Sequence, residues 1–145
     1  MKDLQIKGLK TWATHDGGGY QFTLYEAGKK VLFVHNDGNG GCLDLDSLDN
    51  GDFLKRLHAH CDSLPPRSLA YLGLENQSLP VDIEIFLEEL LTEYEQAKQI
   101  AKAKKKGVVF TLNGNEKEFY TLRTLDMEKA IAYLDKHHPN QYALL

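Results

Sequence analysis

A β-hairpin is encoded by the segment QFTLYEAGKKVLFV, residues 21–34. Two runs of alternating apolar residues flank the short connection Glu26-Ala-Gly-Lys29, where Gly28 can adopt the positive φ that a tight turn requires. A two-residue turn predicts that Leu24 lies opposite Val31. It also predicts Phe22 opposite Val34 or its neighbour, and Tyr20 beside His35.

Two similar glycine-rich segments flank this hairpin, HDGGGY at 15–20 and HNDGNGGC at 35–42. The outer ends of two antiparallel strands lie side by side, so we expect both segments at one edge of the sheet. Successive glycine N–H groups can hold an anion, and the lack of side chains permits close approach of a ligand. The predicted ligand-binding residues are His15, Asp16, Gly17, Gly18, Gly19, Tyr20, His35, Asn36, Asp37, Gly38, Asn39, Gly40 and Gly41.

A structural explanation of the same glycines stands beside this one. Asp-Gly and Asn-Gly pairs are common turn formers, because glycine reaches positive φ without a steric clash. However, a turn needs only one or two glycines, whereas this edge carries six. The segments are therefore interpreted either as a binding site or as turns, and the sequence leaves both open.

The remaining pattern predicts a single α+β domain over residues 1–145. An N-terminal antiparallel β-meander (4–46) begins with a strand bent at Gly8 and ends with a short strand from Cys42 to Asp46. Two amphipathic helices are expected at about 52–62 and 82–105, and a terminal helix capped by Asp126 at about 126–137. A C-terminal β-hairpin (108–122) is expected around Asn113-Gly114, with a five-residue connection, while residues 67–74 fit a strand or an irregular connection.

Composition limits the function classes. The chain has 145 residues, 42% of them apolar and 26% charged, which is typical of a globular protein. A net charge of −4 argues against a broad surface for nucleic acid or for an anionic membrane. No segment approaches the roughly 20 apolar residues of a bilayer span, and two cysteines do not form a disulfide framework, so we expect a cytoplasmic protein.

Patterns for specific chemistry are incomplete. His58 and Cys61 share a helix face, which allows a metal site completed by Cys42, but His60 points elsewhere. The glycine segments fit neither a calcium-binding EF-hand loop, nor a phosphate-binding P-loop, nor a dinucleotide fingerprint. A hydrolase would pair a histidine of the two segments, as general base, with a neighbouring aspartate. We therefore assign no catalytic residue, no metal ligand and no cofactor.

The segments GLKTWATHDGGGYQFTLY (8–25), GKKV (28–31) and NDGNGGC (36–42) resemble small uncharacterised proteins of bacteriophages and other mobile elements. The resemblance covers chiefly the first 45 residues, and more faintly the hairpin from Phe110 to Leu122. It brings no catalytic residues. It implies a host-virus interaction in the bacterial cytoplasm, in which such a protein blocks a host defence protein or sequesters a nucleotide signal.

The sequence thus predicts a non-enzymatic, phage-encoded counter-defence protein that binds a small nucleotide-like ligand through its paired glycine-rich segments. One alternative is an inhibitor that binds a host defence protein directly, and another is a phosphodiester hydrolase that uses histidine and aspartate, with or without a metal ion. A homodimer through the helix at 82–105 is a further option for the partner. A sequestering protein should enclose a pocket lined by both segments, whereas an inhibitor should expose an acidic or apolar face.

Overall fold

The computed structural model describes all 145 residues and has the predicted α+β architecture. The chain forms two compact units, Met1–Leu91 and Thr92–Leu145. No helix combines the length and the apolar character needed to cross a bilayer.

The first unit is built on the predicted meander. Its four antiparallel strands are adjacent in the order in which they occur in the sequence. These strands are β1 (Leu4–Thr14), β2 (Gly17–Glu26), β3 (Lys29–Asn36) and β4 (Asp44–Ser47). The bend predicted in β1 is confirmed, because the pairing with β2 shifts between Lys7 and Lys10 around Gly8, whose φ is +67°.

The turn between β2 and β3 contains two residues, Ala27 and Gly28, with φ of +48° and +80°. Two successive left-handed residues form the turn whose twist matches that of the flanking strands. The predicted pairing of Leu24 with Val31 is wrong, because a bulge leaves Val31 as an extra residue and Leu24 lies opposite Leu32. Beyond the bulge Phe22 pairs with Val34, as predicted, and Tyr20 lies opposite Asn36 rather than His35.

One face of this sheet is buried. Helix α1 (Asp52–Ser63) begins and ends within about one residue of the prediction and contributes Phe53, Leu57 and Cys61 to the core. The sheet contributes Ile6, Phe22, Leu24, Leu32 and Val34, of which all but Ile6 have no exposed surface. Burial of these apolar side chains at about 25 cal/mol per Å² is the main stabilising contribution.

Residues 67–74 fit either a strand or an irregular connection by sequence, and the structure of 67–79 contains parts of both. Two short strands, β5 (Arg67–Ser68) and β6 (Ser78–Leu79), pair with each other on either side of a single 3₁₀ turn over Ala70–Leu72. Helix α2 (Ile83–Lys104) follows, close to its predicted bounds, and its first turn is capped by the Asp82 carboxylate, which accepts a hydrogen bond from Ile85 N at 2.8 Å.

The second unit has a three-stranded sheet in the order β8-β7-β9, made of β8 (Asn115–Leu122), β7 (Val108–Leu112) and β9 (Tyr142–Leu144). The predicted hairpin is present, but its connection contains two residues, Asn113 and Gly114, rather than five. Polar residues after Gly114 continue the strand because β8 is an edge strand. Helix α3 (Met127–His137) is confirmed, and Asp126 caps it through bonds from the N–H groups of Glu128 and Lys129. Strand β9 was not predicted.

Candidate functional site

The two glycine-rich segments lie at one edge of the first sheet, and residues 15–19 and 36–41 are called the glycine rim below. Most of the first segment lies in a strand rather than in a turn. Only His15 and Asp16 form the turn between β1 and β2, while Gly18 pairs with Ala13 and Gly19 with Trp12. Glycine weakens isolated strands, but here the paired backbone and a covering side chain compensate.

The two segments are in contact, as the hairpin predicts. The backbone of Gly38 packs against that of Gly18 and Gly19, so closely that a Cβ at residue 38 would lie 2.6 Å from Gly18 C and from Gly19 N. Thr14 Oγ1 donates a hydrogen bond of 2.6 Å to the carbonyl of Gly38. The absence of side chains at these positions therefore serves the packing of one segment on the other.

Trp12 crosses this contact. Its indole occupies the place where residue 19 would carry a Cβ, and Nε1 donates a hydrogen bond of 3.3 Å to the Asp37 carbonyl. The ring lies 5.6 Å from the His35 ring. Gly19 and Gly38 are thus explained by packing, whereas Gly17, Gly40 and Gly41 have open space where a Cβ would be. Gly17 and Gly40 also adopt a positive φ, of +132° and +81°, which favours glycine whether or not a ligand binds.

The polar residues of the rim are mostly solvent-facing. His15, Asp16, Asp37 and Asn39 are exposed. A local turn holds the second segment, because Asn36 Oδ1 accepts a hydrogen bond from Gly38 N and Asp37 Oδ1 accepts one from Asn39 N, each at 2.8 Å. These side chains are therefore presented on an ordered backbone.

Tyr20 and His35, which adjoin the glycine rim, lie on opposite faces of the sheet. Tyr20 lies on the buried face, with its ring centroid 6.1 Å from that of Phe22 and its hydroxyl oxygen buried. Burial is the largest of the effects that raise the pKa of this phenol. His35 lies on the opposite face, with Nδ1 3.5 Å from Asp44 Oδ2. The structure thus places His35 beside an aspartate that the sequence did not select.

Side chains on the outer face of the sheet are half-buried or exposed. Two rows cross its four strands, Lys10, Gln21, His35 and Asp44 in one and Lys7, Thr23, Phe33 and Asp46 in the other. The β1 edge is therefore basic and the β4 edge acidic. The Lys7 ammonium also lies 4.5 Å from the centroid of the Tyr25 ring.

The metal site that the sequence allows around His58 and Cys61 does not assemble. Cys42 is exposed, whereas Cys61 is buried in the core, where burial raises the pKa of its thiol. No group of three or more histidine, cysteine, aspartate or glutamate side chains is arranged to hold a metal ion.

A second candidate surface lies in the segment 67–79, called the apolar finger below. Four of its large apolar side chains are exposed to solvent: Tyr71 by 78%, Leu72 by 62%, Leu79 by 46% and Leu74 by 40%. Single exposed apolar residues are ordinary, but several within one short segment are typical of an interaction surface.

The apolar finger has a defined backbone. Leu69 N bonds to Gln77 O at 3.0 Å, Gly73 N bonds to Ala70 O at 2.9 Å, and Gly73 closes the 3₁₀ turn with a φ of +79°. At the base, the Arg67 guanidinium binds both carboxylate oxygens of Glu89 on α2, at 2.7 and 2.8 Å. This pairing lowers the pKa of Glu89.

Sequence reasoning did not select the apolar finger as a site. A signal was present, because Leu69, Tyr71, Leu72 and Leu74 follow neither a helical nor an alternating spacing and stand between Pro65-Pro66 and Pro80. Apolar residues that no secondary-structure period can bury together are candidates for exposure.

Comparisons with protein-family models, with curated proteins and with solved structures find no match to this chain.

Proposed function

We propose that this chain is a non-enzymatic binding protein that contacts a partner protein through its apolar finger. The observation that supports this proposal is the exposure of Tyr71, Leu72, Leu74 and Leu79 on a hydrogen-bonded backbone. An exposed apolar surface is the feature that separates a protein-binding inhibitor from a protein that encloses a small ligand.

The arrangement suits protein recognition for two reasons. Tyrosine is enriched among the residues that dominate binding energy, and burial of an exposed leucine or tyrosine contributes about 1.5–3 kcal/mol. In addition, the ion pair between Arg67 and Glu89 and the Gly73 turn hold the backbone before binding. A pre-ordered loop loses less conformational entropy when it docks.

The sequence resemblance supplies the biological setting of the proposal. A small protein of a bacteriophage or other mobile element that exposes an apolar surface would act in the host bacterial cytoplasm as a counter-defence factor. Its partner would be a host defence protein that offers a complementary apolar groove.

A nucleotide-like ligand at the glycine rim is the second candidate function. It is favoured by the open space at Gly17, Gly40 and Gly41, which leaves their backbone accessible. The neighbouring half-buried Trp12 offers a ring on which a base can stack. In this function the rim would bind its ligand at an open surface, because the Gly38 backbone fills the space between the two segments.

A hydrolase remains the third proposal, with His35 as general base oriented by Asp44 at 3.5 Å. It requires turnover of a phosphodiester. Loss of phosphodiester turnover in His35→Ala, with unchanged turnover in Tyr71→Ala, would favour the hydrolase over the binding functions.

Photo-crosslinking in bacterial cells tests the protein-binding proposal. A photoreactive amino acid at position 71 should give one dominant crosslinked host protein, while the same amino acid at Tyr133, exposed by 47% on α3, should not. Tyr71→Asp with Leu72→Asp should abolish both capture of that protein and any rise in phage plating efficiency. Leu125→Asp, at a position exposed by 71%, is the matched control and should retain both.

Two other outcomes of the crosslinking experiment would contradict the proposal. Equal crosslinking from positions 71 and 133 would refute the proposed surface. Crosslinking of position 71 to a second copy of the chain would make the apolar finger a dimer contact instead. A homodimer through α2 stays a separate prediction. Native mass spectrometry tests whether the protein is a dimer.

A further inference from the structure

A groove runs along the second unit between the C-terminal half of α2 and one face of β8. The α2 side is lined by Gln99, Lys102 and Ala103, which lie on one helix face, and by Lys106, two residues beyond the end of the helix. The β8 side is lined by Phe119 and Thr121, and Arg123 follows just beyond the strand. This part of the groove has a volume of about 530 Å³ and joins a second part of about 440 Å³ that shares Gln99 and Phe119.

Charge is unevenly distributed along the groove. Lys102, Lys106 and Arg123 converge on the larger part, whereas Glu95 and Glu118 line the smaller part together with Lys117. The three cations of the larger part take no part in the ion pairs of the protein. Three unneutralised positive charges around one cavity form an attractive site for an anion.

The C-terminus of α2 repels an anion, but this repulsion is smaller than the attraction by the lining cations. A helix C-terminus carries about half a negative charge, against three full positive charges from the lining side chains. One of its terminal carbonyls, that of Ala103, also accepts hydrogen bonds from Lys106 N at 2.9 Å and Gly107 N at 3.1 Å. The local field in this part of the groove is therefore positive.

We propose that this groove binds a phosphorylated small molecule of nucleotide size that carries a flat apolar group. The phosphate would lie among Lys102, Lys106 and Arg123, where ammonium and guanidinium groups can donate charge-assisted hydrogen bonds. The flat group would contact the half-buried ring of Phe119. Amino groups on its far edge would lie toward Glu95, whose carboxylate accepts hydrogen bonds.

The distribution of charge along the groove favours a small molecule over a nucleic acid strand. A strand needs a basic path several nucleotides long, and Glu95 with Glu118 would repel its phosphates at one end of this groove. This site is distinct from the glycine rim and does not depend on the function proposed above.

Calorimetric titration in phosphate-free buffer tests the proposal, with adenosine diphosphate as the probe. Adenosine diphosphate should bind, pyrophosphate more weakly, and uncharged adenosine not measurably. Lys102→Glu and Arg123→Glu should each weaken binding of adenosine diphosphate about tenfold or more, because each replaces an attractive charge with a repulsive one. Ala103→Phe should block the groove without changing its charge.

Lys104→Glu is the matched control, since it makes the same charge change on the same helix but at a position that does not line the groove. It should weaken binding less than threefold. Amide chemical shifts in the wild-type protein give a measurement that needs no variant: adenosine diphosphate should shift the signals of residues 99–106 and 119–123.

The proposal is overturned by any of three results. The first is that neither adenosine diphosphate nor pyrophosphate binds at about 1 mM, a concentration at which a weak site would still be occupied. The second is that Lys104→Glu weakens binding as much as Lys102→Glu, which indicates nonspecific attraction. The third is that a single-stranded oligodeoxythymidine binds more tightly than adenosine diphosphate, which would make the groove a nucleic acid site.

Discussion

The indole of Trp12 occupies the space in which residue 19 would carry a Cβ, so the identity of Gly19 is tied to that of Trp12 across the β1–β2 pair. The same indole bonds to the Asp37 carbonyl and thereby holds the second segment of the glycine rim against the sheet. One aromatic side chain thus links β1, β2 and the segment that follows β3.

Gly19→Ala should displace that ring and lower the free energy of unfolding by about 1–3 kcal/mol, as overpacking does. Because Trp12 is the single tryptophan of the chain, its fluorescence emission reports the displacement and denaturant titration reports the stability. Gly41→Ala is the control, since residue 41 has open space and no positive φ. It should change stability by no more than about 0.5 kcal/mol. Equal effects of both variants would contradict the role of Trp12.

Acidification should weaken the base of the apolar finger. Arg67 holds the pKa of Glu89 below its usual 4.5, so the pairing stabilises the fold fully above about that pH and its contribution is lost as pH falls through the lowered pKa. The effect should be small, because both side chains are about 40% exposed. Denaturant titrations at pH 7 and pH 3 should show a smaller loss of stability on acidification for Glu89→Gln than for wild type. Identical losses would exclude the contribution.

The two cysteines should react at very different rates with a thiol reagent at pH 8. Cys42 is exposed, whereas Cys61 is buried and burial raises its pKa, which lowers the fraction of reactive thiolate. One thiol should therefore be labelled quickly and the second only after denaturant is added. Cys42→Ser should remove the fast reaction and Cys61→Ser should leave it. Two fast thiols in the native protein would show that the face of α1 that carries Cys61 is not buried in the core.

Asp126→Ala should destabilise α3 by about 1 kcal/mol, because it removes the carboxylate that accepts from two N–H groups at the start of the helix. Asp126→Asn keeps an accepting oxygen and should retain most of the stability. Thermal unfolding followed by circular dichroism distinguishes the two variants. A loss of similar size in both would assign the effect to charge rather than to capping.

The parts of the fold that the sequence predicts are those controlled by local rules. Gly28 and Gly114 mark their hairpins because each adopts a positive φ, and Asp126 marks a helix start. The bulge at Val31 escaped prediction because an extra residue in a strand depends on the packing of its neighbours. Strand β9 is too short to show a period, and it forms by pairing with β7.

The candidate sites were predicted less completely. The meeting of the two glycine segments followed from hairpin geometry, but Trp12 and Thr14, which hold them together, are distant in sequence from Asp37 and Gly38. The groove depends on a helix face and a strand face about twenty residues apart, whose juxtaposition is tertiary. The lysines at the end of α2 alone are explained equally well by the helix dipole.

The packed and the exposed residues of the glycine rim differ in how freely they can change during evolution. Gly19 and Gly38 are fixed by steric contact, whereas His15, Asp16 and Asn39 of the same rim are exposed to solvent. Substitutions can therefore accumulate at the exposed residues of the rim while Gly19 and Gly38 keep its backbone packed. In the second proposed function, in which the rim binds a ligand, exchange of a few exposed residues would change the ligand specificity without changing the fold.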